Sequence, residues 1–116
     1  MAFTQTVKLP KKTLCIQTDG TYLFCGCSDG KLWQITIAIP VVTKVVLAII
    51  NGEPLCMVTD ATYLYIGTNK GILVRVTISD GTQSVLQKVD SAIISIHITG
   101  STLYMGMADG RIMKKT

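Results

Sequence analysis

The chain has 116 residues, 48% of them hydrophobic and 16% charged, with a formal net charge of +4. This length suits one small domain, and the charge allows an anionic partner without requiring one. The longest apolar run, Ile37–Ile50, contains Pro40 and Lys44 and is shorter than the roughly 20 residues of a membrane helix. Because the N-terminus also lacks the apolar core of a signal peptide, we expect a cytoplasmic protein with no membrane contact.

The predicted elements are short strands separated by tight turns. β-branched and aromatic residues dominate them, and no helical period is sustained. Turns fall at dipeptides such as Asp29-Gly30 and Asp109-Gly110, which supply the backbone angles of hairpin turns. In chain order, the predicted strands are Thr4–Leu9, Leu14–Gln17, Tyr22–Cys27, Leu32–Ile37, Thr43–Ile50, Leu55–Val58, Tyr63–Gly67, Ile72–Ile78, Gln83–Val89, Ile94–Ile98, Leu103–Met107 and Arg111–Lys115.

The chain repeats itself about every 40 residues. Gly26, Gly67 and Gly106 fall in register, and so do the hairpins that follow them. The first two copies share Thr-Asp before the first hairpin and Thr-Tyr-Leu after it. The repeat divides the chain into units at residues 13–50, 54–89 and 93–116, the last of which lacks a fourth strand. We interpret residues 1–116 as one all-β domain.

A unit of about 40 residues with four strands and an Asp-Gly hairpin resembles a blade of a β-propeller, most nearly of the WD40 type. The Trp-Asp pair of that family would fall on Ile35-Thr36, Val76-Thr77 and Lys115-Thr116, and the sequence has it at none of these positions. The resemblance implies three four-stranded antiparallel blades, the third incomplete. It also implies a non-catalytic scaffold for protein interactions.

Three blades are too few to close a ring, since propellers typically have about 4–8. We expect two copies to join head to tail in a ring of about six blades, as a homodimer. The segment 4–9 of one copy would then complete the third blade of the other. The strand-pairing residues would be Thr4, Gln5, Thr6, Val7, Lys8 and Leu9 with Arg111, Ile112, Met113, Lys114 and Lys115. The alternative is that the chain is half of a longer propeller.

Residues with catalytic or metal-binding chemistry are sparse. His97 is the one histidine, and it lies inside a strand, where a structural role is expected. Asp19 and Asp60 occupy turn positions, where Asp stabilises the turn through the backbone. The alternative is that they form a calcium site. Cys15, Cys25, Cys27 and Cys56 are interpreted as reduced core thiols. We therefore predict no catalytic residue, metal or cofactor.

The loops between fourth and first strands open on the same face as the Asp-Gly hairpins. Their exposed charges make this face the predicted binding surface, with Lys11, Lys12, Asp29, Glu53, Lys70 and Asp109 as candidates for a protein or peptide partner. Nucleic-acid binding is disfavoured, because no aromatic residues interleave with the basic ones. Alternatives are a small-molecule or glycan site using Tyr22, Tyr63 or Tyr104, and an engineered fragment without a ligand.

Overall fold

The computed structural model describes residues 7–36 and 43–116. Within these residues the secondary structure consists of strands. They are β1 (Thr13–Thr18), β2 (Tyr22–Cys27), β3 (Lys31–Thr36), β4 (Thr43–Ile49), β5 (Pro54–Thr59), β6 (Tyr63–Thr68), β7 (Ile72–Thr77), β8 (Gln83–Lys88), β9 (Ile93–Thr99), β10 (Thr102–Met107) and β11 (Ile112–Lys115).

The strands form three antiparallel sheets, each a meander in which neighbours in sequence are neighbours in space. The first two sheets have four strands in the orders β1-β2-β3-β4 and β5-β6-β7-β8, and the third has β9-β10-β11. The prediction of an all-β fold built from three antiparallel sheets is therefore confirmed.

The predicted turn chemistry is present in the structure. The carboxylate of Asp19 accepts hydrogen bonds from the backbone N–H groups of Thr21 and Tyr22 at 2.9 and 2.8 Å, and Asp60 does the same in the second sheet. Gly30 has a φ of +87°, a value that glycine adopts without strain. These local contacts set the hairpins that hold each sheet in register.

The sheets stack side by side through their first strands, β1, β5 and β9. The thiol of Cys15 donates to the carbonyl of Pro54 in the next sheet at 3.3 Å, and Cys56 donates to Ile93 in the same way at 3.5 Å. One apolar core lies between the first and second sheets and another between the second and third. The same packing is thus used twice.

Lys8 contacts Lys44 of the first sheet and β11 belongs to the third, so the described parts of the two segments expected to exchange lie at opposite ends of the stack. Thr4, Gln5 and Thr6 are outside the described residues, and Val7–Leu9 form no strand in the single chain. In the part of the chain that the structure describes, β11 pairs with β10 alone. β11 begins at Ile112, so Arg111 belongs to the preceding turn. Pairing of residues 4–9 with a second copy stays a prediction.

Candidate functional site

One position of the repeat shows that the far side of the third sheet is uncovered. Leu32 and Leu73 occupy this position in the first two sheets, and each is 0% exposed because the next sheet packs on it. Ile112 occupies it in the third sheet and is 81% exposed. The third sheet therefore presents a surface built like the two that are buried inside the chain.

We call this surface the last-sheet end face and define it by Ser95, His97, Tyr104 and Ile112. These residues line a shallow groove of about 310 Å³ across β9, β10 and β11. His97 and Tyr104 pair across the two strands and are both exposed. His97, expected to be packed or to line a central channel, therefore lies on this open face.

The opposite end of the stack, the first-sheet end face, carries Ile16, Leu23, Trp33 and Ile35, of which Ile35 is 0% exposed in the single chain. Ile16 is 57% exposed, whereas Met57, at the same repeat position in the second sheet, is 6% exposed under the first sheet. Among the described residues, the indole N–H of Trp33 is buried without a hydrogen-bond partner. A buried donor without an acceptor lowers the stability of the single chain.

Lys44 connects the first-sheet end face to the N-terminal segment. Its ammonium lies 5.6 Å from the centre of the Trp33 ring and donates to the carbonyl of Lys8 at 3.1 Å. Lys44 pairs with Ile35 across β3 and β4, so both side chains point to this end face. The main chain at Lys8 therefore lies near the face on which a preceding sheet would pack.

The predicted binding residues lie where hairpins meet the loops between sheets, and we call this surface the loop face. In the first sheet the N–H of Ser28 donates to the carbonyl of Lys12 at 2.8 Å, which places Lys12 beside the turn that carries Asp29. In the second, Asn69 exchanges hydrogen bonds with Glu53 of 2.8 and 3.0 Å, next to Lys70. The residues of this face are Lys11, Lys12, Asp29, Glu53, Lys70 and Asp109.

At the third sheet the loop face carries an ion-pair network around Arg111. Its guanidinium donates to the carboxylate of Asp109 at 2.7 Å and also to that of Asp90. The hydrogen bond from Arg111 lowers the pKa of Asp90 below its usual value. Because all three side chains are well exposed, the network orients the loop more than it stabilises the fold.

The four cysteines are free thiols, as predicted. Burial raises the pKa of Cys15 to about 12, and the nearby Cys56 thiol adds to the effect. Burial also raises the pKa of Cys56 to about 11. Since the thiolate is the nucleophile and the metal ligand, these two cysteines are chemically inert at neutral pH. In the described residues, no three His, Cys, Asp or Glu side chains lie close enough together to hold a metal ion.

A second groove, of about 370 Å³, was not found from the sequence and lies between the second and third sheets. Tyr65 and Arg75 line it from one sheet, and Leu103 and Lys115 from the other. The side chain of Lys115 points toward the second sheet, and the pairing of its main chain with a second copy stays a prediction. The sequence does contain a sign of this groove, which is a departure from the repeat. The first sheet has Phe24 and Gln34 where the second has Tyr65 and Arg75.

No protein-family model and no curated protein matches the sequence. Across residues 7–36 and 43–116, no helix is long and apolar enough to cross a membrane. Among solved structures, the WD40 β-propeller domain of Doa1 is similar, with a TM-score of 0.79 and 12% identity over 91% of this chain and 38% of that one. U3-55K is similar with a TM-score of 0.76 and 13% identity, over 93% of this chain and 37% of that one.

The computationally designed Ika4 protein matches over nearly its whole length, with a TM-score of 0.56 and 10% identity over 99% of this chain and 98% of that one. The chain thus spans less than two fifths of the length of the two WD40-type structures. At these identities the likeness establishes the fold alone. The chain folds as three consecutive blades of a WD40-type β-propeller, as the resemblance in the sequence predicted.

Proposed function

We propose that the chain is a non-catalytic protein-interaction module that works as a closed ring assembled from two copies. The observation that carries this proposal is the contrast at one repeat position, where Leu32 and Leu73 are 0% exposed and Ile112 is 81% exposed. An apolar side chain that is exposed where its counterparts in the other sheets are buried favours a partner that covers it. Within the chain, the surface that covers this position is always the near side of a following blade.

The first-sheet end face is a near side of the same kind. Met57, which packs under the first blade, corresponds to Ile16, and Leu64 corresponds to Leu23. The last-sheet end face of one copy can therefore pack on the first-sheet end face of a second copy as one blade packs on the next. Two such contacts give a ring of about six blades, within the known range of 4–8.

The proposed junction between two copies has a donor at the position used for hydrogen bonds between blades within the chain. Cys15 and Cys56 donate to the first residue of the next blade's inner strand, and Ser95 is the third residue in this series. In the ring, the hydroxyl of Ser95 would donate to the carbonyl of Thr13 in the second copy. Gly106, beside Ser95, leaves room for that approach as Gly26 does for Pro54.

The loop face is the proposed site for a protein or peptide partner. Its lysines and carboxylates alternate around the blades, and Asp29 and Asp109 already accept hydrogen bonds from turn N–H groups. His97 lies apart from them on the last-sheet end face. This distribution supports recognition of a mixed-charge surface and favours binding over catalysis.

Native mass spectrometry tests the assembly. We expect a species with twice the mass of the 12.5 kDa chain. Deletion of residues 1–9 should convert it to monomers or aggregates if this segment completes the third blade. A stable monomer of the intact chain across the concentration range would refute the ring.

The binding role is tested by affinity enrichment with the intact chain and with a variant carrying Lys11→Ser, Lys12→Ser and Glu53→Ser. A protein identified in this way should bind in purified form to the intact chain and lose affinity for the variant. Val85→Ala, an exposed change on an outer strand, serves as the control. Equal binding by all three proteins would contradict the assignment of the loop face.

A further inference from the structure

We infer that the groove between the second and third blades binds a small amphipathic carboxylate, a molecule with one acidic group and an apolar body. This groove is enclosed by one chain, so the inference does not depend on ring closure. Its volume of about 370 Å³ lies within the range of small-ligand sites, about 300–1,000 Å³. The groove has cationic side chains for the acidic group of such a ligand and apolar side chains for its body.

The polar end of the groove carries two cations from different blades. Arg75 pairs with Tyr65 across β6 and β7, and its guanidinium stacks on Tyr63 at 4.4 Å from the ring centre. Lys115 pairs with Leu103 across β10 and β11, which directs it into the same groove. Arg75 is thereby held in place by an aromatic ring and keeps its N–H donors for a ligand.

The one carboxylate side chain that lines the groove is already occupied. Asp60 accepts hydrogen bonds from the N–H groups of Thr62 and Tyr63 at 3.0 and 2.8 Å and from the hydroxyl of Tyr65 at 3.0 Å. Partial burial would oppose its ionisation, but these hydrogen bonds lower its pKa below the usual value. Asp60 therefore remains ionised and bound to its own turn. The two cations are left available to an incoming anion.

Part of the remaining wall, beside Gly100, Ser101 and Thr116, is apolar. Leu86 from the second blade and Ile98 and Leu103 from the third line it, and Leu103 is 5% exposed. A phosphate ion would leave these side chains uncovered, whereas an aliphatic or aromatic acid would bury them. The apolar wall therefore selects an acid that carries a hydrocarbon body.

The groove is a specific departure from the repeat. At the junction of the first and second blades the corresponding residues are Phe24, Gln34 and Val76, of which Phe24 and Val76 are 0% exposed. Three substitutions, to Tyr65, Arg75 and Lys115, thus introduce a hydroxyl and two positive charges at one junction. Packing of the blades requires none of them, because the other junction packs without them.

The inference is tested by titrating the chain with sodium hexanoate, hexanamide and inorganic phosphate while recording ¹H–¹⁵N spectra. Hexanoate should shift the signals of groove residues such as Tyr65 and Ile98. Hexanamide and phosphate should bind at least about tenfold more weakly, since each lacks one half of the recognition. Equal binding by hexanamide or by phosphate would overturn the assignment.

Variants place the binding in this groove. Arg75→Gln introduces the residue that the first blade already carries, so the fold should persist, and Lys115→Gln removes the second cation. Each should weaken hexanoate binding by about tenfold or more, while Lys88→Gln, which removes an exposed lysine outside the groove, should leave it unchanged. If Arg75→Gln binds hexanoate as the intact chain does, the inference is wrong.

Discussion

Replacing Ile112 with alanine separates assembly from folding. The side chain is 81% exposed in the single chain, so the free energy of unfolding of one chain should change by less than about 0.5 kcal/mol. In the ring this side chain would be buried, and truncating a buried isoleucine to alanine costs about 2–5 kcal/mol. Two copies contain two such contacts. The dissociation constant of the dimer should therefore rise by about a thousandfold or more.

Sedimentation velocity over a concentration series measures this effect, with chemical denaturation in parallel. Leu73→Ala changes the same repeat position inside the chain, where the side chain is 0% exposed, and should lower the free energy of unfolding by about 2–5 kcal/mol. Val85→Ala, at 66% exposure outside both end faces, should alter neither quantity. If Ile112→Ala leaves the sedimentation profile unchanged, the end-face contact does not exist.

Three further predictions concern the stability of the single chain. Gly67→Ala should cost about 1–3 kcal/mol of unfolding free energy, because its Cβ would lie 2.7 Å from the sulfur of Cys56, whereas Gly106→Ala should be tolerated by the single chain; equal midpoints of denaturation for the two would contradict this. Ala61→Gly should stabilise by about 1 kcal/mol, since Ala61 has a φ of +79°, and a lowered midpoint would show that the backbone is not strained. The pKa values of about 12 for Cys15 and about 11 for Cys56 predict that stability holds to about pH 9 and then falls, because unfolded thiols ionise before folded ones. The double change of both cysteines to serine should flatten that fall, as measured by denaturation at each pH.

The sheets could be predicted because their signals are local. Asp19 and Asp60 hold the first hairpins through backbone N–H groups within three residues of each carboxylate. When one face of a strand is buried and tight turns bound it at both ends, the strand can pair with its neighbours in only one register. The order of strands within each sheet follows directly from the order of the turns.

The groove between the second and third blades could not be predicted in this way. Arg75 and Lys115 are far apart in the sequence, and each alone reads as a solvent-exposed cation on a strand. They meet because the third blade packs on the second, which sets Lys115 opposite Tyr65 and Arg75. Only the stacking of sheets, decided by the apolar faces, creates this juxtaposition.

The two end faces differ in polarity from the capping repeats of typical repeat proteins. A solenoid or blade array that stops in water needs a terminal repeat with a polar outer face. The third blade instead carries Ile112 where Leu32 and Leu73 stand in the others, and it adds Tyr104 at 42% exposure. The first blade likewise carries Ile16 at 57% exposure. Two end faces with the chemistry of an internal junction are complementary, which supports the proposal that a second copy packs on them as one blade packs on the next.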